Sequence, residues 1–116
     1  MAAINIHQEE RQLVITSKTI DWLTKNTTVS VFDPVAFTGY QRQIDEKHCL
    51  KIVSYLKTSS FLPSAIICAC EEYTDQAQLR IVDGQHRVHA FSLLANQDPS
   101  RYAVIKNEEI PVVVMI

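Results

Sequence analysis

The stretch Leu79-Arg80-Ile81-Val82-Asp83-Gly84-Gln85-His86-Arg87-Val88-His89-Ala90-Phe91 constrains this chain more than any other. A short apolar run, Ile81 and Val82, stops at Asp83-Gly84, and apolar residues then recur at helical spacing as Val88, Phe91, Leu94 and Ala95. The pattern predicts a strand, a tight turn and a helix, with Asp83 suited to the helix N-cap.

The chemistry of that junction follows from its geometry. The first N–H groups of a helix lack intrahelical partners and the helix dipole adds partial positive charge, so anions favour such ends. Gly84 lets the backbone approach an anion without a Cβ in the way and adopts positive φ if the turn requires it. Arg87 offers a planar fork for phosphate oxygens, and Gln85 and His86 add donors in the same turn. These residues read as a phosphate pocket. The plainer alternative is an ordinary Asp-Gly turn with Arg87 in water.

The rest of the chain reads as one small domain. At 116 residues, 47% hydrophobic and 21% charged, it is long and apolar enough to bury a single core. Met1 to Gln12 reads as a solvated leader without the apolar stretch of a secretion signal, and no apolar run is long enough to cross a bilayer. Cys49, Cys68 and Cys70 lack zinc-type spacing and read as buried thiols in a reducing, cytoplasmic setting. The net charge of −2 gives no support to a domain-wide field for DNA.

In chain order, Leu13 to Thr16 is expected as a strand. A short helix follows, capped by Ser17 or Thr19 and anchored by Trp22, and then a strand from Thr27 to Phe32 that Asp33-Pro34 ends. Val35 to Gln43 is a loop carrying Gln41 and Arg42. Asp45 to Ser59 is the clearest helix, with a core stripe of Cys49, Ile52, Val53 and Leu56; His48 and Lys51 fall off the stripe, and His48 is given no role. Ala65 to Cys70 is an apolar run expected to be a strand buried on both faces, joined to Leu79–Val82 as a hairpin with a long loop. A further helical turn is expected around Tyr102, and Ile110 to Ile116 reads as a final buried strand with Pro111 near its start. Because the chain stops in apolar sequence, a missing downstream segment is also expected.

Several of these pieces together resemble the DGQHR-domain family, including its DndB-like members, within the ParB/sulfiredoxin fold superfamily. The matching pieces are Gly39-Tyr40-Gln41-Arg42, Leu62-Pro63 with Ala65-Ile66-Ile67, Val82 through Arg87, and Ile110-Pro111-Val112-Val113-Val114. The resemblance implies a compact α+β domain, a small mixed sheet packed with helices, over residues 30–116, preceded by a leader with a first strand and helix over residues 1–29. It implies that Gly84, His86 and Arg87 hold the phosphates of a nucleoside triphosphate, ATP or CTP, together with Mg2+. Gln85 stands where sulfiredoxin has its catalytic cysteine, so sulfinic-acid reduction is not implied. A second phosphate motif of ParB proteins has no counterpart before Ile116.

Two functions are therefore carried forward. The first is a nucleotide-binding domain of a bacterial DNA modification or defence protein, in which Gln41 and Arg42 form a second wall of the site. If this domain hydrolyses the nucleotide, Asp83 or Gln85 would orient a metal-bound water. The second is a non-catalytic, DNA-associated regulatory or assembly module, homo-oligomeric in one version. A metal site built on Asp83, His86 and His89 is disfavoured, because i, i+3, i+6 spacing spreads the ligands around the helix.

Overall fold

The computed structural model describes residues 3–29 and 45–116. Gln41 and Arg42 lie outside the described residues. In order, the elements are β1 (Ile4–Gln8), β2 (Arg11–Thr19), α1 (Ile20–Asn26), β3 (Thr27–Val29), α2 (Glu46–Leu56), β4 (Ile66–Ala69), β5 (Leu79–Asp83), α3 (Gln85–Gln97), α4 (Pro99–Ile105) and β6 (Glu109–Met115). The strands form one mixed six-stranded sheet in the order β1-β2-β6-β4-β5-β3. With four helices against it, the architecture is the expected α+β class.

Alternation along the strands separates two unlike faces. Val14 and Thr16 of β2, Ile66 and Cys68 of β4, Leu79 and Ile81 of β5, and Ile110, Val112 and Val114 of β6 are buried. The apolar ones among them join helix residues Leu23, Val53, Leu56, Val88, Phe91, Leu94 and Ile105 in the core, apart from Thr16. Their strand neighbours Leu13, Ile67, Ala69, Val113 and Met115 are only half-buried. Among the described residues the run at β4 is therefore covered on one face, not on both as expected, because the described helices pack on one side of it. β6 sits inside the sheet, antiparallel to β2 and parallel to β4, so its apolar residues are not an edge.

The amino-terminal stretch expected to be a solvated leader contains β1, which pairs antiparallel with β2 from Ile4↔Ile15 to Gln8↔Arg11. Its misreading has a physical cause: β1 is an edge strand, and four of its five residues are exposed, so it lacks a buried stripe. The α2 stripe is as expected at Cys49, Val53 and Leu56, which are buried, while Ile52 packs at the margin of the core. All three cysteines are free and buried, and burial pushes the Cys68 thiol up to about 12, which makes it a packing group rather than a nucleophile.

Helix ends are held by named side chains. Thr19 caps α1 by accepting from the Trp22 N–H, and Asp45 caps α2 by accepting from the Lys47 and His48 N–H groups. Asp98 caps α4, accepting from the Arg101 N–H at 3.2 Å, and Pro99 occupies the first turn. The Arg101 side chain then donates through Nε to the Leu56 carbonyl at 2.7 Å, tying α4 to the end of α2. Asp98→Ala is expected to cost about 1 kcal/mol, the usual worth of an N-cap, read as a lower midpoint in urea at unchanged slope.

A second tie joins α1 to α4. The Tyr102 hydroxyl donates to Asp21 Oδ1 at 2.8 Å, and Lys25 Nζ lies 2.7 Å from Asp21 Oδ2. Lys25 first, then Tyr102, hold the Asp21 carboxyl below its ordinary value. A depressed carboxylate contributes stability that is present above the unfolded-state pKa and disappears as the pH falls through the folded-state value. Wild type should therefore exceed Asp21→Asn in Tm at neutral pH, with the gap closing in acid. A gap independent of pH would show that the carboxylate charge is not what holds the two helices.

Candidate functional site at the start of α3

The strand–turn–helix junction forms as the sequence predicts, with one correction. Gly84, not Asp83, is the N-cap of α3; it has φ 108° and ψ 13°, and no side chain caps the helix. Asp83 is instead the last residue of β5 and is exposed. The first intrahelical bond runs from the Val88 N–H to the Gly84 carbonyl at 3.2 Å. Gly84 is needed twice over. Its φ is one that L side chains rarely adopt, and a Cβ there would meet Arg87 Nη2 at 3.1 Å and Ile66 at 3.2 and 3.3 Å.

Arg87 therefore fills part of the space that the glycine leaves. Its guanidinium is a fork on backbone: Nη1 donates to the Ser64 carbonyl at 2.7 Å and Nη2 to the Ala65 carbonyl at 3.0 Å. Burial pulls the guanidinium below its usual pKa, and the nearby Asp83 carboxylate opposes that shift. Arg87 thus positions the segment leading into β4 while keeping part of its surface on a pocket.

That pocket, about 370 Å³, is lined by His48, Lys51, Ile52, Tyr55, Leu62 and Arg87. It runs along α2 from His48 to Tyr55 and is closed by Leu62 and by Arg87 from the first turn of α3. The His86 ring accepts from the Asp45 N–H through Nε2 at 3.1 Å, so in this arrangement the ring proton is on Nδ1. The His48 ring meets His86 edge-on at 4.8 Å, with planes at 79°. One turn further along, His89 Nε2 lies 3.1 Å from Glu46 Oε1. A lysine, an arginine and an imidazole thus share a pocket beside the start of α3, whose N-cap Gly84 has no side chain to cap it. Such a corner can hold an anion of the phosphate class.

The expected site residues are distributed unevenly. Arg87 adjoins Gly84 and lines the pocket, whereas the His86 ring turns to the Asp45 N–H. Gln85 is only 8% exposed, whereas Asp83 is exposed, so the two residues expected to orient a water sit in different surroundings. Among the described residues no group of three or more His, Cys, Asp and Glu side chains could hold a metal ion. Asp83, His86 and His89 do not converge, since His86 turns to Asp45 and His89 to Glu46. His48 and Lys51 are the residues that sequence reasoning left without a role. They sit beside the α2 core stripe, and only the packing of α2 on α3 brings them to the site.

No curated protein and no solved structure matches the chain. A family model does, that of DndB, described as DNA-sulfur modification-associated, and it matches residues 1–116. With a match that takes in every strand of the sheet and the whole α2–α3 corner, the chain belongs to the DndB family of DNA-sulfur modification-associated proteins.

Proposed function

We propose that this chain is a nucleotide-phosphate-binding domain of the DGQHR type, of ParB/sulfiredoxin-like architecture, serving a DNA phosphorothioation-associated protein. One observation carries the reading: Arg87, in the first turn of the α3 that Gly84 starts, shares a pocket with His48 and Lys51 of α2. Phosphate oxygens would take the helix N–H groups and the lysine charge, with Arg87 closing the corner. The reading is one of binding. The different surroundings of Gln85 and Asp83 favour recognition of a nucleoside triphosphate such as ATP or CTP over its hydrolysis, and a Mg2+ ion would arrive with the phosphates it bridges.

Isothermal titration with ATP, CTP and GTP in the presence of Mg2+ tests it. Wild type is expected to bind at least one of them, and Lys51→Glu to bind at least about tenfold more weakly, the equivalent of ~1.4 kcal/mol. Lys51 is exposed on α2, so this substitution leaves the core untouched. No heat with any nucleotide, or equal affinity in Lys51→Glu, removes the proposal. The family membership favours a second reading, a non-catalytic DNA-associated module. A gel shift at low salt that weakens as salt is added would support it.

A further inference from the structure

The sheet face turned away from the described helices carries a second feature, separate from the α2–α3 corner and independent of nucleotide binding. A groove of about 780 Å³ crosses it, floored by Leu13, Ile67, Ala69, Val113 and Met115. These are the half-buried partners of the core residues, so the face is apolar across β2, β6 and β4. Toward the edge the apolar row continues through Ile15, 37% exposed, and its cross-strand partner Ile4, 59% exposed. A sheet face of this composition is ordinarily covered by another layer.

Arg80 indicates what the covering layer carries. It projects from β5 into the groove wall, and its Nε is buried without a hydrogen-bond partner. Its charge lowers the pKa of the neighbouring Cys70 thiol, against the larger effect of burial. A guanidinium at an apolar wall calls for a carboxylate. Among the described lining residues the one acid is Glu9, in the β1–β2 turn beyond β2 and β6, with Arg11 beside it. Among the described lining residues no acid stands on β4, β5 or β6 beside Arg80.

We propose that this groove seats an amphipathic helix of a partner protein, apolar toward β6 and β4 and presenting a carboxylate to Arg80. Shape selects a helix over a second copy of this chain, since a groove receives a convex rod and two grooves do not complement each other. The dimensions agree. The groove runs across the strands from Gln8 on β1 to Arg80 on β5, four strand spacings or ~19 Å, which a helix of about 13 residues covers. Arg80 stands at the β5 end of that path, within reach of a glutamate near one end of such a helix.

A charge swap tests this. Two fluorescein-labelled synthetic helical peptides are used, with leucines along one face and either glutamate or lysine at a single flanking position. Binding is read by fluorescence anisotropy. Wild type is expected to bind the glutamate peptide at least about tenfold more tightly than the lysine peptide. Arg80→Glu is expected to reverse that order and Arg80→Met to abolish the preference, with circular dichroism confirming that each variant is folded. The proposal is overturned if wild type does not discriminate between the peptides, or if Arg80→Met retains the preference. It is equally overturned if the protein sediments as a dimer that Val113→Lys dissociates, because the face would then belong to a second copy.

Discussion

Arg87→Ala is expected to lower stability by about 2–3 kcal/mol, the worth of hydrogen bonds to a charged group plus the desolvation left at their acceptors. Two carbonyls, Ser64 and Ala65, lose their donor together, and they belong to the segment that delivers Ile66 into β4. Ala65 is half-buried, so water replaces the guanidinium incompletely there. A fall in Tm of about 10 °C follows for a domain of this size. Arg87→Lys distinguishes shape from charge. An ammonium keeps the charge but lacks the planar fork that spans both carbonyls, so the lysine variant should recover less than half of the loss. Full recovery by lysine would mean that charge near Asp83, not the fork, is what Arg87 supplies. Because Arg87 is so engaged, loss of nucleotide binding in Arg87→Ala would not by itself identify a phosphate ligand; Lys51→Glu is the cleaner probe.

Gly84→Ala is expected to cost about 1–3 kcal/mol from backbone conformation alone, since φ 108° lies outside the range L residues occupy without strain. The added Cβ also meets Arg87 Nη2 and Ile66. Urea denaturation of Gly84→Ala, Arg87→Ala and the double variant separates the two contributions. If the Cβ displaces the guanidinium, the double variant costs less than the sum of the singles, because the fork is already lost in one of them. Strict additivity would show that the guanidinium is not displaced, leaving strain at φ and the contact with Ile66 as the cause. Gly84→Asn gives an independent measure, since asparagine tolerates positive φ better than alanine but carries the same Cβ.

The two substitutions show where sequence patterning ends. The turn at Gly84 is legible because a glycine between an apolar strand and an apolar helical stripe has few uses. The direction of Arg87 is not. An arginine in a first helical turn can face water, a ligand or its own backbone, and only the placement of Ser64 and Ala65, more than twenty residues earlier, decides among them. The same holds for His48 and Lys51, whose position off the α2 stripe reads as solvent until α2 packs on α3. The strand β4 was misread for a related reason. Ile67 and Ala69 are as apolar as Ile66 and Cys68, so the run looks doubly buried, and the difference lies in the described helices covering one face alone.

By itself, then, the sequence determined the local grammar of this protein: a glycine turn between β5 and α3, an amphipathic α2, and an apolar final strand begun near Pro111. Those follow from spacing and backbone preference, which act over a few residues. The tertiary structure decided what faces what. It placed β6 between β2 and β4, turned Arg87 back onto the chain, joined Lys51 and His48 to the α3 start, and left Arg80 on a bare apolar groove. Each of these depends on contacts between segments far apart in the chain, whose partners no local pattern encodes.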